Sequence, residues 1–107
     1  MNDVVVGAVR ALTRKPTNKV ALKEDLVVLK CSSDVPNAII WSYDSFVISS
    51  LRKPTTSVPE FSTTNNGSAT DCYLRAQGSS TKRLSGPYAC SDGSVPAAQA
   101  VVIVIGQ

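Results

Sequence analysis

Three cysteines, Cys31, Cys72 and Cys90, carry most of the reactive side-chain chemistry open to this chain, which has 107 residues and no histidine. Without histidine neither a Ser-His-Asp nor a Cys-His nucleophile can be assembled, and the commonest metal ligand is missing. The cysteines show no Cys-x-x-Cys spacing, so no structural zinc is expected. The carboxylates are dispersed; Glu24 and Asp25 adjoin, but on a strand they would point to opposite faces. The stretch SDGS at 91–94 has the acidic and hydroxyl groups of a metal or phosphate loop, yet a turn between strands accounts for it better. These residues therefore point away from an enzyme, with no cofactor and no metal expected. Recognition is the class of function left.

The elements that would position these residues read as strands. Val27, Leu29 and Cys31 share one side of DLVVLKCSS, with Lys30 and Ser32 on the other. Ile39, Trp41 and Tyr43 share a face of NAIIWSYD, and Cys72, Leu74 and Ala76 align in ATDCYLRA while Asp71, Tyr73 and Arg75 point the other way. Breakers recur between the runs: Pro16, Pro36, Pro54, Pro59, NNG at 65–67 and GSVP at 93–96. A helix through VGAVRALTRK competes at the start, with Val6, Val9 and Arg10 on one side, but DVVV and Pro16 favour an extended approach. Many short strands at this interval indicate an all-β sandwich or barrel, and the length suits one domain over residues 1–107. The net charge of +3 is spread over eleven basic residues with no run longer than two, which reads as a solvated surface and not a nucleic-acid footprint. The apolar run at 100–105 is far too short to span a bilayer. MNDVVVGAVR lacks the pattern of a cleavable leader, and Met1 reads as an added start on an excised domain.

The order Cys31, Trp41, Cys90, with Tyr88 two residues before the second cysteine in SGPYAC, resembles the immunoglobulin superfamily, in its variable-type form or between the variable and intermediate sets. The resemblance implies a two-sheet antiparallel Greek-key sandwich. It places Cys31 on strand B, Trp41 on strand C, and Tyr88 and Cys90 on strand F, with a Cys31–Cys90 disulfide packed by the indole. LKEDLVVLKC is similar to the approach to strand B, AQAVVIVIG to strand G, and VPEFSTTNNGSATDCYLRA to the strand D and E hairpin with Phe61 and Leu74 inward. Two departures stand out. Leu84 and Glu60 occupy the places of an Asp and an Arg that commonly pair across the bottom of such sandwiches, which implies a hydrophobic cover by Leu84 with Glu60 turned toward Lys82 or Arg83. WSYDSFVIS makes a tight turn near Asp44 and Ser45, and SLRKPTTSV leaves room for a short extra edge strand. Cys72 is read as a buried thiol, against the alternative of an intermolecular disulfide.

The resemblance offers two recognition surfaces. The loops between strands carry Asp34 and Asn37, then Arg52 and Lys53, then Asp92, Ser94 and Val95, but no aromatic anchor. The outer face of the sheet with strands G, F, C and C' carries Ala38, Ile40, Ser42, Ala89 and Ser91, a flat and weakly charged row through which two copies could pair, or else a solvated face with an incidental isoleucine. Asn66 begins NGS, either an acceptor for N-linked sugar or the Asn-Gly of a tight turn. The expected protein is an extracellular module of a secreted or cell-surface receptor, of immune or adhesion type, binding a protein ligand or itself. A glycan ligand is also open to it, and no nucleic-acid binding or membrane insertion is expected. The alternative is a structural spacer in a longer ectodomain.

Overall fold

A computed structural model of the chain describes residues 12–50, 53–54, 60–65, 67–78, 84–93 and 97–105. Among the described residues eleven strands follow one another: β1 (Leu12–Arg14), β2 (Lys19–Leu22), β3 (Leu26–Leu29), β4 (Ser32–Ser33), β5 (Ile40–Tyr43), β6 (Phe46–Ser50), β7 (Lys53–Pro54), β8 (Phe61–Thr64), β9 (Tyr73–Gln77), β10 (Gly86–Ser91) and β11 (Ala98–Ile105). They form a six-stranded sheet in the order β2-β11-β10-β5-β6-β7, a three-stranded sheet β3-β9-β8, and the pair β1-β4. All pairings are antiparallel except β11 with β2. The two-sheet sandwich that the resemblance implies is the fold. The extra edge strand expected in SLRKPTTSV is β7, paired to Ser49 and Ser50 of β6.

Alternation decides which side chains fill the space between the sheets. Val27 and Leu29 of β3, Trp41 of β5, Leu74 and Ala76 of β9, Tyr88 and Cys90 of β10 and Val102 of β11 are all buried in one cluster. Cys31 and Cys90 are joined by a disulfide across a sequence separation of 59 residues, with their Cα atoms 6.6 Å apart. The Trp41 indole N–H donates to the Cys72 carbonyl at 2.9 Å, so the largest buried side chain of β5 also has its polar atom satisfied by the opposite sheet's chain. Backbone continuity at Cys31 differs from the expectation of one unbroken strand. The segment splits into β3, paired with β9, and β4, paired with β1, while the Cys31 carbonyl accepts from the Cys72 N–H at 2.9 Å. The first described strand, β1, is extended, against the helical alternative; Val6, Val9 and Arg10 lie outside the described residues.

At the lower end an aromatic cluster replaces the missing charge pair. Tyr43 packs on Tyr88 with ring centroids 4.7 Å apart and on Phe61 at 5.6 Å. The Tyr88 hydroxyl donates to the Leu84 carbonyl at 2.7 Å and the Tyr43 hydroxyl donates to the Ser85 carbonyl at 2.7 Å, which ties the approach of β10 to both rings. Leu84 itself is buried against the core. Lys82 and Arg83, named for a contact with Glu60, lie outside the described residues. Gly86 has φ 141°, a backbone region that disfavours other residues, and a Cβ there would come within 3.2 Å of Tyr43 Cε1. The β5-β6 turn has φ 51° at Asp44 and 72° at Ser45, both left-handed and neither a glycine. Its strain is offset in part by the Asp44 N–H, which donates to the Pro87 carbonyl at 2.9 Å.

Candidate recognition surface

The outer face of the six-stranded sheet is set by the same alternation that fills the core. In β5, Trp41 turns inward, so Ile40 and Ser42 turn out; in β10, Tyr88 and Cys90 turn inward, so Pro87, Ala89 and Ser91 turn out. Register brings them side by side, with Ala89 opposite Ser42 and Ser91 opposite Ile40. Ala38, just before β5, is half-buried, as are Ser42, Ala89 and Ser91, while Ile40 is exposed. The candidate row therefore forms one continuous strip. A bulge in β6 sets Val47 opposite Ser42, where it is exposed, and leaves Ile48 buried.

The face is wider and more apolar than that row. Val101 of β11 lies opposite Pro87 and Gln99 opposite Ala89, and Ile103 and Ile105 follow on the same side. The parallel pairing of β2 sets Val20 beside Ile103 and Leu22 beside Ile105. All five of these apolar side chains are exposed, Ile103 by 51% and Val20 by 69%. Sequence reasoning missed them. The signal was present in AVVIVIG, because a strand apolar at every position has an apolar outer face as well as an inner one. Small residues at the centre leave a shallow hollow lined by Ser42, Ser45, Pro87, Tyr88, Ala89 and Gln99. Larger side chains, Ile40, Val47 and Val101, stand around it, and Phe46 beside the β5-β6 turn is 73% exposed. The outward positions named on this face carry no charge.

The loop candidates do not converge in the same way. Asp34 and Asn37 are exposed, with Asn37 at φ 58° and its N–H donating to the Ala69 carbonyl at 2.8 Å. Asp92 is corrected: its side chain is fully buried and accepts from the Ser33 hydroxyl at 2.7 Å, so it ties the turn after β10 to β4 and is not presented to a ligand. Arg52, Ser94, Val95 and Asn66 lie outside the described residues, and of Lys53 only the backbone is described, in β7. Beside Asn66, Gly67 has φ 81° and its N–H donates to Asn65 Oδ1 at 3.1 Å, the geometry of a tight turn. Cys72 is fully buried, which favours the buried-thiol reading over an intermolecular disulfide in the folded chain. Burial also pushes the Tyr88 phenol up, with the neighbouring Tyr43 adding to it. Tyr43 is raised by burial first and by the Asp44 carboxylate second. Among the described residues no group of three or more His, Cys, Asp or Glu is placed to hold a metal, and no helix is long and apolar enough to cross a membrane.

No family model matches the chain, and no curated protein does. Solved structures match it closely in shape. The Dpr1 IG1 domain bound to DIP-eta IG1 aligns at a TM-score of 0.74 with 13% identity, covering 91% of this chain and 96% of that one. The RIG-5 IG1 homodimer aligns at 0.73 with 12% identity, covering 91% and 98%. The I9-I11 tandem of titin aligns at 0.70 with 17% identity, covering 91% of this chain and 33% of that one. The Ig1-2 module of the Drosophila receptor protein tyrosine phosphatase DLAR aligns at 0.69 with 19% identity, covering 90% and 48%. The chain thus spans one third to one half of these multi-domain neighbours. The fold is that of an immunoglobulin domain.

Proposed function

We propose that the chain is an extracellular, variable-type recognition module of the adhesion or receptor kind, which docks a second copy of itself through the outer face of the six-stranded sheet. One observation carries this reading: an uncharged strip of exposed apolar side chains runs from Val47 and Ile40 to Val101 and Ile103 around a hollow of small residues. Such a face is costly to leave in water and suits a partner that presents the same face across a two-fold axis. The similarity to domains described as a homodimer and as a domain-domain complex supports the choice of occupant. The buried disulfide supports an oxidising compartment, and the added edge strand β7 supports the variable type.

Sedimentation equilibrium of the oxidised chain over a wide concentration range tests it. A dimer is expected that is abolished by Ile40→Glu, with the variant's fold intact by circular dichroism. A chain that stays monomeric at every concentration removes the proposal. It would favour the spacer reading, to which the similarity to tandem titin domains lends support.

A further inference from the structure

The chain between β1 and β2 crosses from one sheet to the other along the flank where two strand edges lie open. β2 ends the six-stranded sheet there and β3 ends the three-stranded one. Pro16 is buried in the crossover, while Lys15 and Thr17 on either side of it are exposed. A cleft of about 330 Å³ opens at this point, lined by Arg14, Lys15, Thr17, Lys19 and Lys30. A second cleft of about 320 Å³ shares Lys19 and Lys30 and adds an apolar floor from Val20, Leu26 and Val28. Among the described residues no carboxylate lines either cleft.

Part of this basic cluster is already held in place. Arg14 Nη1 donates to the Tyr73 hydroxyl at 2.7 Å, and the Arg14 guanidinium and the Lys30 ammonium each lie 6.0 Å from the centre of the Tyr73 ring. Tyr73 points outward from β9, as its alternation demands, yet these two side chains cover it so well that it is only 7% exposed. Asp71, which pairs near β4, accepts from the Ser32 hydroxyl at 2.6 Å. Cations fixed in this way lose less freedom when an anion arrives than free lysines do.

We propose that this flank binds a linear sulfated polysaccharide, with sulfate groups on Arg14, Lys15, Lys19 and Lys30 and the sugar backbone on the Val20, Leu26 and Val28 floor. A single tetrahedral anion would engage only some of four cations and leave the others repelling one another. A chain with repeated charges neutralises them all. An acidic peptide fits less well, because lysines on open strand edges oppose the addition of a further strand.

The test is calorimetric titration of the full chain with a heparin-derived oligosaccharide at low and at physiological salt. Binding is expected, weakening as salt rises. Lys19→Ala with Lys30→Ala should weaken it roughly tenfold to a hundredfold, whereas Lys53→Ala, which removes a charge from β7 at the opposite edge of the six-stranded sheet, should leave it within a factor of about two. An equal loss per charge removed in the two variants would assign binding to net charge and overturn the proposal. So would absence of binding at low salt, displacement by inorganic sulfate at equal sulfate concentration, or tighter binding of polyglutamate. Ile40→Glu should bind the oligosaccharide as the parent does, so this result stands or falls apart from self-docking.

Discussion

Removing the disulfide by Cys31→Ala with Cys90→Ala should cost a large fraction of the chain's stability, and should do so mainly through the unfolded chain. The bridge spans a sequence separation of 59 residues. Closing a loop of that length lowers the entropy of the unfolded ensemble by enough to stabilise the fold by about 4 kcal/mol at 25 °C. Both cysteines are fully buried beside Trp41, so truncation adds a packing loss of about 1 kcal/mol. Together these approach the lower end of a small domain's net stability, roughly 5 kcal/mol. Equilibrium urea unfolding followed by tryptophan fluorescence reads this directly, because Trp41 is the single tryptophan and is buried in the fold. The expected result is a midpoint near zero denaturant and a steeper dependence on urea, since an unbridged chain exposes more surface when it unfolds. A loss below about 1 kcal/mol with unchanged slope would refute the loop argument. A large loss with unchanged slope would transfer the effect to native packing.

Ser45→Gly should raise stability by about 0.5–1 kcal/mol, because φ 72° strains a serine and not a glycine, the gain being reduced by glycine's greater freedom when unfolded; urea midpoints of parent and variant decide it. The raised phenols of Tyr43 and Tyr88 give an alkaline limit. Their folded pKa values lie above the unfolded value near 10, so the stability they contribute is complete below that pH and is lost as pH rises through the folded values. The urea midpoint should therefore hold up to about pH 10 and fall above it, with a shallower fall in Tyr88→Phe; an equal fall in that variant would assign alkaline unfolding to other groups.

Much of the interior was legible because burial repeats every second residue. Val27 and Leu29, Trp41, and Leu74 and Ala76 were placed by alternation alone, while the cysteine, tryptophan and tyrosine order placed Tyr88 and Cys90 by resemblance and chose a sandwich over a barrel. The outer face was harder to read. In AVVIVIG both alternating sets are apolar, so nothing local says which set faces water, and the partnership of Val20 and Leu22 with Ile103 and Ile105 depends on a parallel pairing between the two ends of the chain. Asp92 looked like an exposed loop acid because its partner, Ser33, stands 59 positions away. The basic flank was invisible for a similar reason. Arg14, Lys15, Lys19 and Lys30 are scattered in sequence and meet only because the crossover around Pro16 folds over two open edges.

β2 belongs to both surfaces. Val20 and Leu22 lie beside Ile103 and Ile105 of the apolar face, Lys19 lies beside Val102, and Lys19 and Val20 both line the flank between the sheets. The centre of the apolar strip lies on β5 and β10, and β11 and β10 separate β2 from β5. Three interstrand spacings of roughly 4.8 Å put the Ile40 row about 14 Å from the basic edge. A second copy seated over Ile40 and Ala89 therefore leaves Lys19 and Lys30 accessible, and Val20, beside Ile103 and at the cleft floor, is the place where the two occupants would first meet. Single-face binding and simultaneous binding are thus separated by geometry within one sheet, and the width of the docked footprint on β11 decides between them.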